Sequence, residues 1–292
     1  MQKFKLFDPS PRTPNPLPPK GTCDCQFHIF APADKYPVRP GAAYHTPEAS
    51  IEAALRMHKA LGIERGVIVN STAYGSDYRI MLDGIAAAGP QSYRGVAVVD
   101  DTLTDEDYKR MHDGGVRGIR FNFLKVLNIV PSPESFRRAL DRAAEMGWFV
   151  KIHGTGQDLL DLADMLRPIK VNAVIDHLTN PDFDRPVDQP SVRFCKELLA
   201  KGNWWVMLSN GDRRSKAGYP WDDAVKYAQT YIEAAPDRMI WASDWPHPLV
   251  TQDMQMKNDG DLIELLYRYC PTEEIKRKIL VDNPARLLGF AA

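Results

Sequence analysis

The chain has 292 residues, 44% of them hydrophobic and 26% charged, the proportions of an ordinary soluble globular protein. Its formal net charge of -1 creates no field favouring nucleic acid or an anionic membrane, and no stretch is long and apolar enough to span a bilayer. Four cysteines are too few for a disulfide scaffold and show no zinc-finger spacing, so buried reduced thiols and a cytoplasmic location are expected.

Residues 1–20 are polar and rich in proline, without the apolar centre of a signal peptide. They read as an extended arm that packs on the body or on a neighbouring subunit, which leaves a homo-oligomer open. Residues 21–292 read as one domain. Strands are expected at 23–30, 65–70, 93–99, 118–122, 148–153, 172–177, 204–209 and 239–243, each a short run rich in Val, Ile and aromatics. Cys23 and Cys25 face the same way on the first of them. Between and after the strands, helical patterns occupy 48–61, 77–88, 105–113, 133–146, 159–166, 192–201, 221–234 and 272–288. Thr46 is the expected N-cap of the first helix, Ser132 with Pro133 opens the fourth, and Gly147 closes it.

Strands alternating with helices imply a parallel sheet, and eight such units imply a closed (β/α)8 barrel. An open doubly wound sheet would carry a glycine-rich phosphate loop after its first strand, where this chain has Asp24-Cys-Gln-Phe-His28. A barrel gathers its strand carboxyl ends at one mouth. There the sequence places Gln26, His28, Asn70, Ser71, Arg120, Asn122, His153, His177, Ser209, Asn210 and Asp244, with Arg213 just beyond. Pro246 ends the last strand directly after Asp244. Each of these residues alone has a structural explanation, as a satisfied core polar group or a helix cap. Three histidines and an aspartate at four separate strand ends point instead to a shared active site. Lys151 either faces the barrel interior or points outward. Tyr44, His45 and Tyr74 lie on loops that line the mouth.

The pattern resembles the amidohydrolase superfamily, and within it the branch of 2-pyrone-4,6-dicarboxylate lactonase and related sugar-lactone enzymes. The resemblance rests on Asp24-Cys-Gln-Phe-His28, Gly115-Val-Arg-Gly-Ile-Arg-Phe-Asn122, Val174-Ile-Asp-His177, Leu208-Ser-Asn-Gly-Asp-Arg-Arg-Ser215, Asp244-Trp-Pro-His247 and the tail Asn283 to Phe290. The superfamily's first strand carries His-x-His, and here Gln26 replaces the first histidine. An amide neither binds a divalent metal as imidazole does nor takes a proton at neutral pH. The resemblance therefore implies a metal-independent enzyme with no cofactor, and the competing reading is a zinc site on His28, His153, His177 and Asp244.

Arg117, Arg120 and Arg213 are candidate carboxylate clamps. Arg120 is favoured over Arg117 because it shares a strand face with Asn122. The expected ligand is a small acidic lactone. Two reactions compete: hydrolysis with Asp244 as general base, or isomerisation by attack of a substrate hydroxyl on the lactone carbonyl. The loss of the first-strand histidine weakens water activation more than internal attack, which favours isomerisation. The resemblance to galactarolactone isomerases implies conversion of D-galactaro-1,5-lactone to the 1,4-lactone in hexuronate breakdown. Expected roles are proton transfer by Asp244, carbonyl polarisation by His28, His153 and His177, and substrate binding by Gln26, Arg120, Asn122, Arg213, Asn70, Tyr74 and Tyr44. A sensor or carrier that binds a sugar acid without turnover is the non-enzymatic alternative.

Overall fold

The computed structural model describes residues 4–44 and 46–291, so His45, read as a mouth residue, lies outside the described residues. Eight strands form: β1 (Cys23–Phe27), β2 (Arg65–Val69), β3 (Tyr93–Ala97), β4 (Val116–Asn122), β5 (Phe149–His153), β6 (Ala173–Ile175), β7 (Trp204–Leu208) and β8 (Met239–Trp241). Neighbours in the order β1 to β8 all pair in parallel. Helices follow the strands: α1 (Ile51–Leu61), α2 (Arg79–Ala88), α3 (Asp105–Asp113), α4 (Pro133–Glu145), α5 (Gly156–Asp161), α6 (Ala163–Leu166), α7 (Pro190–Ala200), α8 (Gly211–Arg214), α9 (Asp222–Ala234) and α10 (Asp259–Tyr269). The chain ends in α11 (Glu273–Arg277) and α12 (Asn283–Leu288).

The ring closes between β1 and β8. The Asp244 amide donates to the Gln26 carbonyl at 3.0 Å, and the His28 amide donates to the Trp245 carbonyl at 2.7 Å. The Asp24 carboxylate completes the seam, accepting from the Ser243 amide at 2.9 Å and from the Ser243 hydroxyl. The fold is the expected (β/α)8 barrel, without the open edges of a doubly wound sheet.

Strand alternation divides the core in two. Val67, Val69, Trp205 and Met207 fill the barrel interior, while Ile68, Trp204, Val206 and Leu208 face the helices. Every strand is thus buried on both sides, which is why the sequence shows continuous apolar runs. Leu288 and Phe290 plug the barrel floor, with the Arg65 and Arg94 guanidinium groups 5.3 and 4.6 Å from the Phe290 ring centre. Cys23 and Cys25 lie in the same interior, buried and free, their sulfurs 3.8 Å apart.

Several boundaries differ from the sequence reading. Ser50 caps α1, not Thr46, because Ala49 is held extended in a bridge with Phe30 and the helix begins only after it. The expected helix at 159–166 is two short ones, α5 and α6. The single helix expected at 272–288 is broken by five residues of π-helix, Lys278–Asp282, ahead of Pro284, which has no N–H for the helical ladder. Helix α10 was not read from the sequence. Its apolar face of Leu262, Ile263, Leu266 and Tyr269 has helical spacing, but Gly260 in the first turn obscures the start.

Gly260 has a reason: a Cβ there would lie 2.0 Å from the carbonyl oxygen of Arg12. The described part of the arm wraps this same chain. Arg12 forks onto Asp261 and Glu264 of α10 with contacts of 2.6–2.7 Å, and Phe7 packs on Trp245 with ring centres 4.6 Å apart. The arm therefore backs the loop that carries Asp244. Gly260→Ala is expected to displace it, destabilising the protein by about 1–3 kcal/mol. Faster trypsin cleavage at Arg12 is the readout; unchanged cleavage would separate the arm from α10.

Candidate active site

The β4–β5 register pairs Arg120 with Lys151 and Asn122 with His153, so two polar layers stack at the mouth. In the lower layer, Asp176 is fully buried between two cations. Its Oδ2 accepts from Arg120 Nε at 2.8 Å, and its Oδ1 lies 3.2 Å from Lys151 Nζ. Burial opposes the Asp176 charge, but Lys151 and Arg120 outweigh it and hold the carboxyl below its ordinary range. Burial pushes the Lys151 ammonium down despite Asp176 beside it. Lys151 Nζ also donates to Gln26 Oε1. An ammonium only donates, so this bond orients the Gln26 amide and aims its Nε2 at Asp244 Oδ1, 2.7 Å away.

Asp244 and Asn210 both adopt left-handed backbone just past their strands, a conformation short Asp and Asn side chains tolerate. Their side chains meet: Asn210 Nδ2 donates to Asp244 Oδ2 at 3.0 Å, and Arg213 Nη2 lies 3.6 Å from the same oxygen. Burial would raise the Asp244 carboxyl, but His177, His28 and Arg213 more than compensate and hold it well below the usual carboxylate range.

The three histidines each have a fixed ring. His28 Nδ1 donates to the Val69 carbonyl at 2.7 Å, leaving Nε2 3.5 Å from Asp244 Oδ1. His153 Nδ1 donates to Asn122 Oδ1 at 2.7 Å, so its Nε2 lone pair faces the cavity. His177 lies beyond the end of β6, in a run of four left-handed residues from His177 to Asn180. Its Nε2 accepts from Arg120 Nη2 at 3.3 Å, and its Nδ1 donates to Ser209 Oγ at 2.9 Å. Burial, with Arg120 adding to it, pushes His177 down to about 4 despite Asp244 and Asp176. Burial and Arg120 also push His153 well below its ordinary value.

This sets a pH dependence. Below the ordinary value of 6.5 the unfolded chain protonates His177 while the folded chain, at about 4, does not, so stability falls as pH drops through that window. From pH 7 to pH 5, His177 alone is expected to lose roughly 2 kcal/mol, a fall in Tm of about 5 °C. Asp244 acts lower: its contribution is present above the ordinary carboxylate range and lost only as pH falls through its depressed value. Thermal unfolding at the two pH values checks this, and an unchanged Tm would contradict the buried neutral imidazole.

A cavity of about 160 Å³ opens among His28, Tyr44, Arg120, His153, His177, Arg213 and Asp244. Gln26 and Asn122 are buried behind it, where they orient Asp244 and His153. Asn70 and Tyr74 do not line it. The Asn70 amide donates to the carbonyls of Gly75 at 2.9 Å and Asp77 at 3.1 Å, bracing the loop after β2. Tyr74 accepts from the Ala31 amide at 3.3 Å and packs on Phe30. Arg117 sits at the opposite end of β4, donating to the carbonyls of His112 and Val116. Sequence reasoning passed over Asp176 and left Lys151 undecided. Strand alternation from His153 places Lys151 inward, and that signal was available.

The family model for amidohydrolases matches residues 23–290. The chain belongs to the amidohydrolase family. Among curated proteins, this amidohydrolase is 33% identical to a 2-pyrone-4,6-dicarboxylate hydrolase of Comamonas testosteroni, over 95% of this chain and 93% of that one. It is 34% identical to a 4-sulfomuconolactone hydrolase of Hydrogenophaga intermedia, over 94% and 90%. A D-galactarolactone isomerase of Agrobacterium fabrum is 29% identical, over 95% and 94%. The branch read from the sequence motifs is thereby borne out.

The residues at the mouth do not suit the zinc site considered for His28, His153, His177 and Asp244. Gln26 turns a donating NH2 toward the site, and the Arg120 guanidinium donates to His177 Nε2. Among the described residues, no three His, Cys, Asp or Glu side chains converge as a metal cage.

Proposed function

We propose that this amidohydrolase opens the ring of a small acidic lactone by hydrolysis, without a metal. The observation that carries the reading is the charge balance around Asp244. Two carboxylates, Asp244 and Asp176, sit among the cations Arg120, Lys151 and Arg213, and Arg214 also lines the cavity, so positive charge is left over for an anionic substrate. The names of the two hydrolase relatives support the same substrate class.

Asp244 accepts a proton from water, and the oxygen attacks the lactone carbonyl carbon. Charge developing on the carbonyl oxygen is met by Arg120 and Arg213 at the cavity wall, because the rings of His153 and His177 present lone pairs there and cannot donate. The ring C–O bond then breaks, and its oxygen takes the proton back from Asp244, with His28 Nε2 beside the carboxylate to share it. General base catalysis of this kind contributes about 10²–10⁴-fold.

Isomerisation is the second reading, and one observation favours it. A carboxylate held well below its ordinary range is a weak base toward water. A substrate hydroxyl needs less activation, since its effective molarity can reach about 10⁵ M or more. NMR of D-galactaro-1,5-lactone and of 2-pyrone-4,6-dicarboxylate with the protein distinguishes the readings. Open-chain acid as first product supports hydrolysis, and accumulation of the 1,4-lactone supports isomerisation. Tight lactone binding with no turnover would overturn both. Activity lost to EDTA and restored by zinc would overturn the metal-free mechanism.

A further inference from the structure

The loop after β8 stands between two cavities. Arg213 and Leu249 line both the inner cavity and a second one of about 250 Å³, whose wall also includes Asp212, His247 and Lys257. The loop carries Asp244, His247 and Leu249 in left-handed backbone, with φ of 59°, 62° and 70°. None is glycine, so each conformation persists only where its surroundings over-determine it. The cavity behind gives the loop room to relax, and the hold against that is a buried ion pair. His247 Nε2 lies 3.0 Å from Oδ1 of Asp259, the first residue of α10. Asp259 Oδ2 is buried without a hydrogen-bond partner, and among the described residues no other cation lies within ion-pair distance of this carboxylate. Burial opposes the charge on His247, but Asp259 outweighs it and lifts the imidazole above its ordinary value. Asp259 is itself fixed from both sides, since the Arg12 amide donates to Asn258 Oδ1 at 2.8 Å and the Arg12 carbonyl abuts Gly260.

From His247 the constraint passes to the site. Its amide donates to the Asp244 carbonyl at 2.9 Å, and the next carbonyl along the loop, that of Pro248, accepts from Arg213 Nη1 at 2.9 Å. The Asp244 carboxylate has Gln26 and Asn210 to hold it. Among the described residues the Pro248 carbonyl is the one hydrogen-bond partner of the Arg213 side chain, whose Nη2 is buried, unbonded and 3.6 Å from Asp244 Oδ2. We propose that His247 and Asp259 are positioning residues for the reaction: their pair fixes the turn from Asp244 to Pro248, and the Pro248 carbonyl aims Arg213 into the cavity. Neither residue lines the inner cavity. Within Asp244-Trp-Pro-His247, the aspartate serves the substrate and the histidine serves the backbone. This rests on the lactone reading above for the reaction that reports it, but not for the placement of Arg213.

The test is a double-mutant cycle on the full chain, with rates on the lactone that the wild type turns over taken per folded molecule from circular dichroism. His247→Gln is expected to lower kcat about 30-fold, because Arg213 then meets the developing oxyanion out of place. In the Arg213→Gln background the same change should cost less than about three-fold more, since the group it positions is already gone. Fully additive losses overturn the proposal. So does a His247→Gln variant that lowers Tm and leaves kcat unchanged, as a purely structural pair would. Asp259→Asn keeps the side chain's size and an acceptor for His247, and it carries the same cycle if His247→Gln does not fold. A crystal structure of Asp259→Asn supplies a readout independent of turnover. Arg213 is expected to have left the Pro248 carbonyl, and Arg213 in its wild-type place overturns the proposal. A displaced Arg213 in a protein that opens no lactone keeps the positioning pair and loses the reaction, whereas lactone opening with an unmoved Arg213 loses the positioning pair alone.

Discussion

Asp244→Asn is expected to lower kcat for lactone opening by about 10³-fold while changing KM by less than about three-fold. The substitution keeps the size of the side chain, but Gln26 and Asn210 donate to its two oxygens at 2.7 and 3.0 Å and an amide accepts through one oxygen, so one of these two bonds is lost. Among the described residues it removes the only carboxylate in contact with His28 and Arg213 in the cavity. Held well below the ordinary carboxylate range, Asp244 is ionised at neutral pH, so the substitution removes a negative charge and a proton acceptor together. Steady-state rates on the lactone that the wild type turns over supply the measurement. A variant with wild-type kcat would return Asp244 to a structural role as the turn residue after β8.

Asp176→Asn is expected to destabilise the fold by about 3–5 kcal/mol, with a fall in Tm of about 10 °C. Among the described residues, it is the one carboxylate within ion-pair distance of both Arg120 and Lys151. Without it two buried cations face each other. Adding Lys151→Met removes one of those cations and should restore part of the stability, although Gln26 then loses the donor that orients its amide. Urea unfolding of the single and double variants checks both statements. If Asp176→Asn unfolds at the wild-type midpoint, the lower layer is solvated and the buried ion triad is not what holds the strand ends together.

The barrel was legible in the sequence because its signal is local. A strand buried on both faces must be a short apolar run, and eight such runs alternate with amphipathic helices. The histidines were legible for the same reason: His28, His153 and His177 end or follow apolar runs, and strand ends converge in any closed barrel. His177 reaches the cavity although β6 stops at Ile175, because the left-handed turn that follows carries it inward. That turn has no glycine to announce it. Helix α10 was missed for a local reason, a glycine in its first turn, whose cause is a close approach of the arm from more than 200 residues away in the chain.

The amino-acid sequence by itself determined the barrel, the mouth and most of the titratable groups there, since alternation and apolar runs depend only on neighbours along the chain. Tertiary structure decided which polar group serves which. Asn70 and Tyr74 sit beside the mouth yet brace loops, whereas Gln26 and Asn122 sit behind it and aim Asp244 and His153. Those roles follow from β4–β5 register and from contacts across the barrel, such as Lys151 with Gln26 and Asp244 with Asn210. An amide or imidazole takes its donor and acceptor roles from the partner it meets, and that partner is set by long-range closure of the ring. Asp244, a strand-end aspartate by sequence, becomes a carboxylate held in place only once β1 and β8 meet.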